Sequence, residues 1–372
     1  PWNLIAYSFS SQLEILSITS MIGTYGFNLF CISLFTSPAI FILRDKKKDL
    51  AICVIFLISV IIFYIYGSFY KEKFYSTSKE TLDYKIRAIG SNVSLDKYYS
   101  NTETTLIIEN LIKLSKPNPK EKTIFIWPEG IFPGVSQEEF NKYDWVFRQN
   151  FNQNHMFIIG TISQYKDNDT KKYFNSFSVY DYKLDLLNSY NKIKLVPFGE
   201  FLPFESILRV FGLRSLTNNY QSFSRGEERN IIEIKKKNFS IKILPLICYE
   251  IIYSGKLFED FNFDLIVNIS EDGWFGHSIW PKKHFDQSIL RAIESGKYVA
   301  RSSNNGITAI INPLGIPQQK VSFGQSGYVD LLEIRKIQPT LFSKYGNKIF
   351  GLLILLYIFL IFSFNKIKNE QS

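Results

Sequence analysis

Ile243-Leu244-Pro245-Leu246-Ile247-Cys248-Tyr249-Glu250 is an apolar run that ends in a thiol and, two residues on, a carboxylate. Two other stretches share the design. Ile124-Phe125-Ile126-Trp127-Pro128 ends at Glu129, and Ser189-Tyr190-Asn191 leads to Lys192. Buried strands read as short apolar runs, and in open α/β sheets reactive groups gather beyond the strand ends. The three stretches therefore predict strands of an α/β domain whose ends converge on a base, a cation and a nucleophile.

Further β-rich runs flank them, at residues 85–89, 156–162, 173–180, 265–269 and 308–312. Helix patterns lie between some of these. Ser136-Gln137-Glu138-Glu139 has the capping-box form and predicts a helix through about Asn150. Residues 281–295 carry Phe285, Ile289, Leu290 and Ile293 on one helical stripe. Strands alternating with helices and then following one another suggest a layered sheet sandwich with helices outside. Lys235-Lys236-Lys237-Asn238 reads as an exposed hairpin turn.

A free thiol is only a few per cent thiolate at neutral pH. A carboxylate within reach can take its proton. A nearby ammonium favours the thiolate and stabilises an oxyanion on an attacked carbonyl. Cys248, Glu129 and Lys192 together thus suit acyl transfer from an ester or amide through an acyl-cysteine. Taken singly, each has a plainer reading: a core thiol, a loop carboxylate and a surface lysine. The more familiar Cys–His pairing would draw on His155 or His284, and neither has a motif around it.

Outside this region the chain changes character. Residues 15–43 and 50–70 carry no charged side chain and are long enough to cross a bilayer as helices. Residues 349–364 form a third run, about 24 Å of helix against a core of about 30 Å. It spans only if Tyr345 to Lys348 continue the helix and Lys348 snorkels. The basic residues Arg44, Lys46, Lys47 and Lys48 place their short loop in the cytoplasm, and Lys366 and Lys368 do the same for the tail. Residues 72–345 then lie on the outer face. This divides the chain into a membrane region (residues 1–70), a catalytic domain (residues 72–345) and a C-terminal transmembrane helix with its cytoplasmic tail (residues 346–372). The chain begins at Pro1 without Met, and we expect further membrane helices before it.

Composition agrees. Of 372 residues 46% are hydrophobic, which excludes a disordered chain, and the 16% aromatic share points to lipid contact. Three cysteines, Cys31, Cys53 and Cys248, make no disulfide framework, and three scattered histidines make no zinc pattern. The net charge of +9 is dispersed, which argues against nucleic-acid binding and allows attraction to anionic lipid head groups.

Together the segments resemble a known family. Trp127-Pro128-Glu129-Gly130, the stretch from Tyr190-Asn191-Lys192 through Pro197-Phe198-Gly199-Glu200, and Ile247-Cys248-Tyr249-Glu250 are similar to the three catalytic segments of the nitrilase superfamily, specifically of its membrane branch, the apolipoprotein N-acyltransferases. Asp272-Gly273-Trp274-Phe275-Gly276, Arg301 to Ala309, Pro1-Trp2-Asn3 and Ile22-Gly23-Thr24-Tyr25-Gly26 match as well. The resemblance implies a nitrilase-like α-β-β-α sandwich flanked by transmembrane helices, on the periplasmic side of a bacterial inner membrane. It implies Glu129 as general base, Lys192 as oxyanion stabiliser and Cys248 as nucleophile. Glu200 and Glu250 match supporting carboxylates, with Tyr249 beside them. It further implies an acyl chain taken from a phospholipid, typically phosphatidylethanolamine, held as a thioester and passed to the α-amino group of the diacylglyceryl-cysteine that starts an apolipoprotein. No cofactor or metal is implied. The chain departs from the pattern at Glu271, where Asn is common, and shows fewer membrane helices.

Two rival functions remain at this level: an amidase of the same superfamily acting on a small amide, and a membrane scaffold that kept the fold without its chemistry. Strong membrane runs disfavour the first, and an intact triad disfavours the second. Trp274 and Phe275, set between Gly273 and Gly276, have two readings. They form a substrate-access loop that touches the membrane, or they fill the core beneath it.

Overall fold

Pleating sorts the apolar residues of each strand onto two faces. In the computed structural model, which describes residues 2–43, 50–99, 103–167, 170–204, 222–236, 239–255, 257 and 262–370, this sorting builds two six-stranded sheets. One has the order β12-β1-β2-β3-β4-β5 and the other β11-β10-β9-β8-β7-β6. The first comprises β1 (Glu80–Gly90), β2 (Thr123–Ile126), β3 (His155–Asp167), β4 (Thr170–Asp181), β5 (Leu186–Asn191) and β12 (Gly327–Ile334). The second comprises β6 (Ile232–Lys236), β7 (Phe239–Ile247), β8 (Leu265–Glu271), β9 (Tyr298–Asn304), β10 (Thr308–Ile311) and β11 (Pro317–Val321). Each sheet has a parallel centre, β1-β2-β3 and β7-β8-β9, with antiparallel strands outside.

Ile124 and Ile126 of β2 point between the sheets, where they join Ile243 and Ile247 of β7 and Leu265, Val267 and Ile269 of β8 in one buried cluster. The alternate residues face outward. Phe125 packs in a second cluster with Ile108, Leu111 and Phe147, which lie on helices Thr104–Ser115 and Asp144–Asn150. Leu244, Leu246 and Ile266 pack in a third, with Leu290 and Ile293 of helix Trp280–Ser295. The result is the expected α-β-β-α sandwich.

The third cluster also takes in Leu16, Phe27 and Phe30, and the N-terminal helix Thr19–Thr36 packs on the helix Trp280–Ser295 outside the second sheet. Among the described residues two helices are long and apolar enough to cross a membrane, Thr19–Ile42 and Leu50–Ser76. The second has 27 residues, about 40 Å of helix, and exposes Ile55, Leu57, Ile58, Ile61, Ile62 and Ile65. So large an exposed apolar surface fits lipid contact.

Two local expectations are corrected. The helix from Ser136 does not form at once. Ser136 is drawn into a bridge with Ile162, and the Gln137 N–H donates to the Ile162 carbonyl at 2.7 Å. Glu139 still accepts from the Ser136 N–H at 3.4 Å, but only a 3-10 turn, Phe140–Tyr143, intervenes before regular helix begins at Asp144. Near the C-terminus, Tyr345 ends a short helix, Gly346 turns left-handed at φ 54°, and the next helix starts at Lys348. Residues 345–347 therefore do not lengthen the apolar stretch Lys348–Ser363, although the helix itself continues to Glu370. The hairpin between β6 and β7 pairs Lys236 with Phe239; residues 237–238, like the basic loop 44–49, lie outside the described residues.

Candidate active site

Glu129 follows the end of β2, Lys192 the end of β5 and Cys248 the end of β7. The sandwich brings the first two into contact, buried, with the Lys192 Nζ donating to Glu129 Oε1 at 3.2 Å. Lys192 also donates to Glu200 Oε1 at 2.8 Å. Asn175, on β4, spends both amide hydrogens on the same pair of carboxylates, at 2.7 Å to Glu129 Oε1 and 2.8 Å to Glu200 Oε1. The other oxygen of Glu129 accepts from the Glu271 backbone N–H at 3.0 Å, and that of Glu200 from the Val196 N–H at 2.8 Å. Room for this arrangement comes from Gly160 on β3: a Cβ there would lie 2.5 Å from the Glu129 Cα.

Cys248 opens a 3-10 turn, Cys248–Ile252, with φ 46°. A left-handed non-glycine residue costs about 1–2 kcal/mol and persists only where its surroundings hold it. Glu250 is the main holder. It is fully buried, and its Oε2 accepts from the Ile247 N–H at 3.0 Å. Its Oε1 accepts from the Ile193 and Lys194 N–H groups, the Tyr190 hydroxyl at 2.6 Å and Arg229 Nη2 at 2.7 Å. One carboxylate thus ties the Cys248 turn to the backbone just after Lys192.

Electrostatics assign resting protonation states. Burial, reinforced by the Glu129 carboxylate, holds the Cys248 thiol well above its ordinary range, while Lys192 pulls the other way. Burial works against the Lys192 charge, but Glu129 and Glu200 outweigh it and keep the ammonium well above the ordinary lysine range. The site therefore holds a protonated thiol and a charged ammonium, and a thiol in this state becomes a nucleophile only when a base removes its proton.

Around this centre lie further buried polar residues. His284 approaches Cys248, as a Cys–His pair would require, but at the backbone: its Nε2 is 3.2 Å from the Cys248 carbonyl oxygen and its Nδ1 2.9 Å from Asp272 Oδ1. Burial lowers its pKa. Asp272 also accepts from Arg301 Nη2 at 2.7 Å and from the Ser270 hydroxyl at 2.7 Å. His155 is remote, with its Nε2 3.0 Å from the Asn118 carbonyl. Asp272 and Arg301 fall within the matched segments; Asn175 carries no sequence signal at all.

Tyr249 is partly buried against Tyr253 and the Trp2 ring. Trp274 and Phe275 diverge. Trp274 is 56% exposed and lies on the Tyr98 ring at 5.1 Å, so it does not fill the core. Phe275 is half-buried against Trp2 at 5.6 Å and His284 at 5.7 Å.

The chain is similar to known proteins. The family model for carbon-nitrogen hydrolase matches residues 86–339. The apolipoprotein N-acyltransferase of Rickettsia prowazekii is 31% identical over 93% of this chain and 68% of its own length. That of Bradyrhizobium diazoefficiens is 29% identical over 97% and 68%, and that of Brucella suis 27% identical over 89% and 62%. The chain thus spans roughly two thirds of the curated relatives it matches. It belongs to the carbon-nitrogen hydrolase superfamily and, within it, to the apolipoprotein N-acyltransferase family.

Proposed function

We propose that the chain transfers an acyl chain from a phospholipid to the α-amino group of an apolipoprotein's N-terminal diacylglyceryl-cysteine, through a thioester on Cys248. The observation that carries this reading is the buried contact of Lys192 with Glu129 and Glu200, at the strand ends that also hold Cys248. The relatives' names and the exposed apolar helices favour a lipid donor over a small amide.

In this reading Glu129 takes the thiol proton as Sγ attacks the ester carbonyl. The tetrahedral oxyanion forms beside the Lys192 ammonium, which needs no reorganisation to stabilise it. Collapse breaks the acyl–oxygen bond, and the proton on Glu129 passes to the departing lysophospholipid hydroxyl. The thioester then meets the lipoprotein amine. Glu129 accepts the amine proton, and Cys248 leaves as a thiolate and is reprotonated. Glu200 and Asn175 hold Lys192 and Glu129 in register, and Glu250 holds the turn.

We place the domain spanning residues 72–345 on the periplasmic face of a bacterial inner membrane. It lies between the membrane region, residues 1–70, and the last helix with its tail, residues 346–372. The basic residues at 44–48 and in the tail support this orientation. The Trp274 loop, exposed and aromatic, serves as the arm that admits acyl chains. Mass spectrometry of an apolipoprotein N-terminus, from cells with and without this protein, tests the activity. An added acyl chain only in its presence is expected, and an unchanged N-terminus would refute the reading.

A further inference from the structure

Glu271 sits beside a second buried cation. Lys97 lies on the 3-10 turn Leu95–Tyr98, is 4% exposed, and donates from Nζ to Glu271 Oε2 at 2.7 Å. The Glu271 carboxylate also accepts from Asn304 Nδ2 at 2.6 Å and from the Gly273 N–H at 2.9 Å, at the root of the Trp274 loop. Its own backbone N–H is the donor on Glu129 Oε2. The neighbour of Lys97, Tyr98, donates from its hydroxyl to the Gly130 carbonyl at 2.6 Å, one residue past Glu129, and its ring carries Trp274.

We propose that the buried Lys97–Glu271 pair is a positioning element for Glu129 that ties this carboxylate to the Trp274 loop. The proposal rests on the proton-transfer role given to Glu129 above. A buried ion pair is weak evidence for stability, since apolar residues of similar volume do as well. What an apolar pair would lack is the anchor that fixes the Glu271 side chain, and so aims its backbone N–H at Glu129. Loss of Lys97 leaves a buried carboxylate without its cation, which protonates or turns away and carries that N–H with it.

The test is a cycle of variants in the full chain, with Cys31→Ala and Cys53→Ala so that only Cys248 reports. The readout is the rate of Cys248 alkylation by iodoacetamide. Lys97→Met slows alkylation about tenfold or more when Glu129 is present and less than about twofold in the Glu129→Gln background. Lys97→Arg, which keeps the charge, stays within about threefold of the parent. Glu271→Gln keeps the backbone N–H and the shape of the site, and carries the same cycle if Lys97→Met does not fold. Equal loss in both Glu129 backgrounds, or no loss in either variant, would overturn the proposal. The readout uses no lipid. A chain that fails to acylate from phosphatidylethanolamine therefore sinks the acyltransferase reading and leaves this test standing.

Discussion

Asp272 shows how a single buried group makes stability depend on pH. Burial pushes its carboxyl pKa up, but the Arg301 guanidinium, His284 and the Ser270 hydroxyl outweigh that and hold it far below the usual carboxylate range. A depressed pKa contributes stability that is present above the unfolded value, about 4, and is lost as pH falls toward the folded one. Asp272→Asn should therefore cost about 3–5 kcal/mol at neutral pH, with the deficit shrinking below about pH 4, where the parent's unfolded state takes up a proton that its folded state does not. Denaturant unfolding of the two proteins across that range checks it; a deficit that stays constant into acid would contradict the assignment. Residues of this kind are hard to read from a sequence. Glu129, Lys192 and Cys248 each end a recognisable run, whereas Asn175 meets Glu129 from 46 positions away. Its role exists only after β4 and β2 share a sheet.

At the scale of elements, legibility follows hydrophobicity. Runs such as those of β2, β7 and β8 are largely buried and plain in the sequence. Strand β9, Tyr-Val-Ala-Arg-Ser-Ser-Asn, is buried throughout but does not read as a strand, because its polar side chains are satisfied by distant partners. Arg301 finds Asp272, and the Ser302 hydroxyl finds the Ile89 and Ile126 carbonyls. The Gly273–Phe275 turn leaves two readings open, since two flanking glycines fix no direction for the side chains between them. With Trp274 exposed, Trp274→Ala should change stability by about 1 kcal/mol or less, against the roughly 3–5 kcal/mol of a core tryptophan. Transfer from phospholipid should slow. Thermal unfolding and specific activity measured on the same variant decide it: strong destabilisation with normal activity would contradict the loop's role.

Across the whole molecule, the membrane region and the sandwich meet at a break in a helix. Gly23 takes φ 70° inside Thr19–Thr36 and frees the Thr24 N–H, which donates to Glu294 Oε1 at 2.7 Å. Ser254 donates to the same oxygen, and Arg291 pairs with Glu294 at 2.8 Å and donates to the Thr24 hydroxyl. A Cβ at Gly23 would lie 2.1 Å from the Phe342 ring, whereas one at Gly351 would meet nothing within 4 Å. Gly23→Ala should thus lower the melting temperature of the full chain in detergent, by about 1–3 kcal/mol or more in stability, and Gly351→Ala should not. Equal behaviour of the two would contradict this docking. The central claim, however, is chemical, and one measurement reaches it directly. The full chain is incubated with phosphatidylethanolamine without acceptor, and the peptide containing Cys248 is weighed by mass spectrometry. The account predicts a hydroxylamine-labile acyl chain on Cys248, absent from Cys248→Ala and unaffected by Cys31→Ala or Cys53→Ala. An acyl chain elsewhere, or one that persists in Cys248→Ala, would contradict it.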